Sequence, residues 1–142
     1  MPSWVSSACD SYARRLPKNF AFQIVEVPQS RDANPAIAKR QEGAALLSKL
    51  DKQAWAVALD VAGKALDTGA FASQIQQWQM QGRDVSLLVG GPDGLASEVI
   101  SRADMRLSLS AMTLPHPLAR IVLVEQIYRA HTILTHHPYH RA

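Results

Sequence analysis

The sequence predicts an α/β domain built on a mostly parallel sheet flanked by helices, and three observations predict it. Residues 54–60 (AWAVALD) and 84–89 (DVSLLV) are nearly continuous apolar runs, which is how strands covered on both faces read. The stretches beside them carry apolar residues at helical spacing instead. Strands that alternate with helices in this way connect as βαβ units, whose strands run parallel.

Each element has its own grounds. Residues 2–16 are expected to be helical, with Ser3 as N-cap and Arg14 and Arg15 near the carboxyl end, where cations are favoured. Residues 20–27 (FAFQIVEV) alternate and are rich in β-branched side chains, so they read as a strand ended by Pro28. A polar loop, 31–35, follows. Pro35 suits the first position of a helix after Asn34, and that helix runs to Leu50 with Ile37, Ala44, Leu47 and Leu50 inward. After strand 54–60, Gly63 turns the chain. Thr68 then caps a helix reaching Gln81, with Phe71, Ile75 and Trp78 on one stripe, and Gly82 stops it. Strand 84–89 passes through Gly90-Gly91-Pro92-Asp93-Gly94 into a short helix ending at Ala103.

Leu107 and Leu109, alternating with Ser108 and Ser110, read as a short half-buried strand. Pro115 and Pro117 around His116 stiffen the next stretch into a shaped loop without regular structure. From Leu118 a helix begins whose apolar residues, Leu118 through Leu134, cover nearly its whole circumference. Such a helix is buried in a core or against a partner subunit. Arg120, Glu125, Gln126 and Arg129 interrupt that surface. Glu125 and Arg129 stand four apart and can pair, as a structural ion pair or as part of a site.

Composition bounds the function. A chain of 142 residues is one domain (1–142) with room for a real core, and 47% hydrophobic with 19% charged residues suits a globular protein. No run has the length of a membrane helix, and the first residues lack the charged-then-apolar pattern of a signal peptide. One cysteine excludes an internal disulfide and suits the reducing cytoplasm. Cys9 is expected to be a small buried apolar side chain. Positive charge is unevenly placed. Up to residue 104 the charges cancel; beyond it four arginines face Glu125 alone and carry the entire +3, and all five histidines lie there too. A local positive field of this kind favours an anionic partner, nucleic acid first.

In parallel sheets ligands gather outside the carboxyl ends of the strands. Three ends are candidates: Leu59-Asp60, Gly90-Gly91 and residues 110–114. GGPDG is neither a Walker loop nor a dinucleotide fingerprint; its glycines serve a turn, or let a ligand approach the backbone. Ser108 or Ser110 with His116 lacks the nucleophile elbow and an orienting acid, which sets a serine hydrolase aside. His136, His137 and His140 are broken in register by Pro138 and lack a carboxylate, so no metal site is expected.

LVGGPDGL, LSLSAMTLPHPLARIVLVEQIYRA and the closing HPYHR resemble the RlmH family of SPOUT-superfamily methyltransferases. These are bacterial enzymes that methylate N3 of a pseudouridine in large-subunit (23S) ribosomal RNA. The likeness extends to the SWVSSACDSYARRLPK opening, IVEVP, Glu42-Gly43, ALD before a glycine turn and GRDVSLLVGG. It implies a SPOUT-type α/β domain with a C-terminal trefoil knot, which topology rules alone would not suggest. It also implies a homodimer acting on ribosomal RNA within the large subunit or the assembled ribosome. The implied cofactor is S-adenosylmethionine, held by Leu59, Gly90, Leu109, Ser110, Ala111, Met112, Thr113 and Leu114. The alternative is an inactive RNA-binding protein that keeps the fold.

The chemistry such a family performs can be reasoned physically. A sulfonium methyl passes in line to a ring nitrogen, so positioning supplies much of the rate. The imide proton must leave; a nearby cation favours the resulting anion, and a histidine can take the proton. His116, Arg120, Arg129, Tyr139 and His140 are the candidate catalytic groups, with the base unassigned among them. Gly90→Val is expected to abolish cofactor binding and leave the fold largely intact. The aromatic, basic tail 136–141 suits stacking on an unpaired base and contact with phosphates. Members of the family begin with one more apolar strand and a glycine turn before the segment matching Pro2-Ser3-Trp4. Met1 therefore reads as an internal methionine, and a form extended upstream is expected to be more stable.

Overall fold

The computed structural model describes residues 1–140, with the side chain of His140 excepted. In chain order the elements are α1 (Ser3–Ala13), α2 (Pro35–Lys49), β1 (Trp55–Ala65), α3 (Thr68–Gln81), β2 (Val85–Leu88), α4 (Ser97–Arg102), β3 (Met105–Ser108) and α5 (His116–Leu134). Single turns of 3₁₀ helix stand at Lys18–Phe20 and Pro138–His140. The chain gathers into two compact units. One takes residues 26–65 and 83–116 and holds the sheet; the other takes residues 1–25, 66–82 and the chain from Pro117 on, and is helical.

In the sheet unit, β1 is central and pairs in parallel with β2 on one side and β3 on the other. Burial follows from that position: Ala56, Val57 and Ala58 are wholly buried. Ala56, Leu88, Ala96 and Val99 make a core against which Leu47, Leu50 and Leu95 pack. The amino end of β1 is clasped from two directions. The Ala56 N–H donates to Asp104 Oδ2 at 2.8 Å, while the Asp104 N–H donates to the Ala56 carbonyl at 2.8 Å. Arg102 pairs with the same carboxylate at 3.2 Å and donates to the Ala54 carbonyl at 3.0 Å. α2 starts where expected. Pro35 opens it, and Asn34 Oδ1 accepts the N–H groups of Ala36 (2.9 Å) and Ile37 (3.4 Å).

In the helical unit, Val5 and Cys9 of α1 pack with Val124 of α5, and Ile121, Tyr12 and Phe22 pack around them. Cys9 is the small buried side chain expected, and burial pushes its thiol pKa up, which suppresses the reactive thiolate. Phe71, Ile75 and Trp78 of α3 are buried, and the Phe71 and Trp78 rings meet edge-on at 6.4 Å. Among the described residues no helix is long and apolar enough to cross a membrane.

Several elements depart from expectation, each for a physical reason. Residues 21–27 form no strand. Ala21 turns left-handed after the 3₁₀ turn, and no strand among the described residues pairs with the stretch. Alternation supplies a pattern, but a strand exists only through ladder bonds to a neighbour. Ile37 and Ala44 of α2 are exposed; Ala38 and Gly43 are the buried pair, because a face of small residues lets α2 approach α4 closely. Asp67, not Thr68, caps α3, accepting the Ala70 N–H at 2.7 Å, and the Thr68 hydroxyl donates to Gln126 Oε1 at 2.8 Å instead. Pro2 holds the N-cap position of α1, with no side-chain cap from Ser3. β1 continues past Asp60 to Ala65 through an irregularity that sets both Leu59 and Lys64 level with Leu107. Asp60 Oδ1 closes that excursion by accepting the Ala62 N–H at 3.1 Å. His116 and Pro117 are helical, since a first turn tolerates the missing proline N–H.

Candidate functional site

Parallel pairing brings the three strand ends together inside the sheet unit. Register sets Ala58 level with Leu88 on one side and Leu59 level with Leu107 on the other. Gly90 therefore follows the end of β2, and Leu109 the end of β3, each just past the level of Leu59 inside β1. Residues 109–114 leave β3 as a loop held from within. Ser108, only 3% exposed, donates its hydroxyl to the Ser110 carbonyl at 2.9 Å, and Ser110 Oγ accepts the Met112 N–H at 2.9 Å. The expected alternation thus fails at Ser108, which is as buried as Leu107 because its hydroxyl has an internal acceptor.

Leu59, Leu109 and Leu114 are half-buried, while Ala111, Met112 and Thr113 stand exposed. Among the described residues the N–H groups of Ala111 and Thr113 have no partner within the chain. Apolar side chains beside open main-chain donors suit a flat, uncharged heterocycle with hydrogen-bonding edges, such as the adenine of a nucleoside cofactor. The donor set fits S-adenosylmethionine, for which Leu59, Gly90 and residues 109–114 were expected from the sequence.

The glycine loop is closed on itself. The Gly94 N–H donates to the Gly91 carbonyl at 3.1 Å, and Gly94 adopts φ +81°. A Cβ on Gly90 would stand 2.6 Å from the Gly94 carbonyl carbon and 2.9 Å from the Leu95 nitrogen. Gly90 is therefore demanded by the loop's own fold, and the expectation that Gly90→Val would spare the fold does not hold. The Glu42 carboxylate lies beside the loop: a Cβ on Gly91 would meet its Oε1 at 3.0 Å, while its Oε2 accepts the Ser30 N–H at 2.9 Å. Glu42-Gly43 was legible only as a motif; its place at this loop was not.

Of the candidate catalytic groups, His116 belongs to the sheet unit, at the first turn of α5. Arg120, Arg129 and Tyr139 belong to the helical unit, and the structure joins two of them. Arg129 Nε meets Glu125 Oε1 at 2.6 Å, and its guanidinium stands 5.0 Å over the Tyr139 ring. The hydrogen bond to Glu125 raises the Arg129 pKa, so this guanidinium stays charged at any working pH. Burial, then a hydrogen bond with Tyr12, pushes the Tyr139 phenol up, which keeps it a proton donor rather than a base. Gln126 Nε2 donates to Glu125 Oε2 at 3.2 Å and ties the pair to Thr68. Arg120 is half-buried near α1, where its charge lowers the Cys9 pKa against the effect of burial. The side chain of His140, and all of Arg141, lie outside the described residues.

Sequence reasoning missed what surrounds this pair. Tyr128 meets Tyr139 edge-on at 4.7 Å and Tyr12 at 6.3 Å, and Arg15 stacks on both Tyr12 and Tyr128. No spacing rule links α1 to the tail, although Tyr12 and Arg15 stand three residues apart within the helix expected over residues 2–16. A separate hollow of about 280 Å³ in the same unit is lined by Asn19, Phe20, Gln76, Gln79, His131, Leu134 and Thr135, none of them a predicted site residue. Among the described residues no cluster of histidine, cysteine and carboxylate side chains could hold a metal.

The sequence matches the protein family described as "Predicted SPOUT methyltransferase" over residues 1–140. It is 50% identical to the ribosomal RNA large subunit methyltransferase H of Marinomonas sp. (strain MWYL1), across 99% of this chain and 93% of that protein. The protein of that name from Chromohalobacter salexigens is also 50% identical, and the one from Azotobacter vinelandii 47%, with the same coverage.

Proposed function

The chain belongs to the SPOUT methyltransferase family, and from that premise we propose that it transfers the methyl of S-adenosylmethionine to N3 of a pseudouridine in large-subunit ribosomal RNA. One observation carries the reading to the site: Gly90 and Leu109 each follow, by two residues, a β2 or β3 residue level with Ala58 or Leu59 of β1, and the loop beyond Leu109 offers open main-chain donors. The relatives, half identical along nearly the whole chain, are named for methylation of large-subunit ribosomal RNA.

S-adenosylmethionine supplies an electrophilic methyl on a positive sulfur. The chain supplies position and charge. Main-chain groups of residues 109–114, with the half-buried Leu59, Leu109 and Leu114 and the Gly90–Gly94 turn, would hold the nucleoside. Arg129, permanently cationic, favours the imide anion of the target base by its charge. Tyr139 keeps its phenolic proton and serves as a donor and a stacking face for an unpaired base. Proton removal falls to His116 or His140, the candidates whose unperturbed pKa lies near neutrality.

The chain is one methyltransferase domain, its carboxyl-terminal part in the trefoil arrangement of the family. The active form is a cytoplasmic homodimer on the ribosome. What supports the dimer is apolar surface left open on the helical unit, with Trp4 54% and Leu118 43% exposed. Isothermal titration of the folded protein with S-adenosylmethionine, followed by methyl transfer to ribosomes lacking the modification, tests the reading. Binding in the micromolar range with transfer to one pseudouridine is expected. Failure to bind at millimolar cofactor overturns it, and leaves an RNA-binding protein of the same fold.

A further inference from the structure

Two arginines follow the last residue of α1 and behave differently. The Arg14 side chain turns back on its own helix, Nε donating to the Asp10 carbonyl at 3.3 Å. Arg15 does not. Its guanidinium lies 5.3 Å over the Tyr12 ring and 5.6 Å over the Tyr128 ring, the residue is exposed, and among the described residues no carboxylate pairs with it. The next rings are those of the candidate site, since Tyr128 meets Tyr139 at 4.7 Å and Arg129 covers Tyr139. Three tyrosines and two guanidiniums thus share one cluster, and its carboxylate, Glu125, is taken by Arg129 at 2.6 Å. Among the described residues the charge of Arg15 is left over.

Stacking uses the faces of a guanidinium and leaves its N–H donors free at the edge, in the planar fork that matches a phosphate. An arginine already flattened on two rings also loses less side-chain freedom when it binds. We propose that Arg15 is a phosphate contact for the substrate RNA, gripping a backbone phosphodiester next to the nucleotide that reaches the Tyr139–Arg129 cluster. The proposal rests on the reading of the protein as a ribosomal RNA methyltransferase. It adds a binding residue, just past α1, remote in sequence from every residue expected to serve the reaction.

The test compares the full chain with R15A and R15K in methyl transfer to ribosomes over a range of salt, alongside cofactor titration and thermal melting. Loss of one phosphate contact should raise the KM for ribosomes about 5–10-fold in R15A, and reduce the slope of log kcat/KM against log salt by about 0.7–0.9. Affinity for S-adenosylmethionine and kcat at saturating ribosomes should stay within about two-fold. R15K, which restores charge without the planar fork, should recover the salt slope and part of the KM. An unchanged KM and slope in R15A would overturn the proposal even if its melting temperature fell, because Arg15 would then serve packing alone. If the unsubstituted chain itself binds no cofactor, the parent reading fails first, and the two failures are told apart by that titration.

Discussion

Replacing Gly90 by alanine would set a methyl group 2.6 Å from the Gly94 carbonyl carbon, 2.8 Å from its oxygen and 2.9 Å from the Leu95 nitrogen. All three are main-chain atoms, so no side chain can swing away; the loop must open by several tenths of an ångström. Overpacking of that kind costs about 1–3 kcal/mol, against a total stability of about 5–15 kcal/mol. At roughly 4 °C per kcal/mol for a chain of this size, Gly90→Ala should melt about 4–12 °C lower. Its neighbours calibrate the argument. Gly94 has open space around an added Cβ but sits at φ +81°, so its alanine variant loses only the conformational term, about 1–2 kcal/mol. Gly91→Ala would meet the tip of the Glu42 side chain at 3.0 Å, which can give, and should cost less than about 1 kcal/mol. Thermal melting with cofactor titration reads out both consequences, and cofactor affinity should fall in the same order as stability. A Gly90→Ala protein that melts within a degree of the unsubstituted chain refutes the reasoning.

Removing the tail from Tyr139 onward should abolish methyl transfer to ribosomes while cofactor affinity, by titration, stays within a few-fold; equal loss of both would make the tail structural. Glu125→Gln keeps an acceptor for Arg129 but removes the charge, and should lower methyl transfer more than it lowers the melting temperature, since the pair is only 24% and 16% exposed. Asp104 predicts a pH signature. The Ala56 N–H, ahead of Arg102, holds this carboxylate below its ordinary 3.8. A depressed acid stabilises fully above the unfolded value and loses that contribution as pH falls through the folded one. Asp104→Ala should therefore melt lower than the unsubstituted chain at pH 7, and the gap should narrow in melts taken progressively below pH 4; a gap that stays the same as the pH falls defeats the assignment.

What the sequence made legible follows from where the information is local. Asn34-Pro35 marks a helix start because cap and fixed φ lie in adjacent residues, and the structure starts α2 there. The apolar runs around Val57 and Leu87 announce parallel strands because burial on both faces erases alternation. Residues 20–27 mislead because their pattern is right for a strand while the ladder partner is a property of the rest of the chain. Ser108 misleads because a hydroxyl bonded to the Ser110 carbonyl is buried at the cost of nothing, which no alternation rule includes. At the site, the strand ends are readable from topology, whereas Glu42 beside Gly91 and Arg15 beside Tyr128 depend on packing between segments distant in sequence.

The central place of β1 also sets a timetable. Both strands that pair with it, β2 and β3, follow it in the chain, and Asp104, which closes its amino end, lies 48 residues beyond Ala56. At synthesis rates of about 5–20 residues per second, the most apolar strand of the protein waits on the order of several seconds for its second neighbour. Until then its edge is open, and pairings made across such a separation are slow even in the finished chain. This is a protein whose sheet closes late, so a chaperone that shields residues 55–60 during elongation should raise its yield more than any change to its helices.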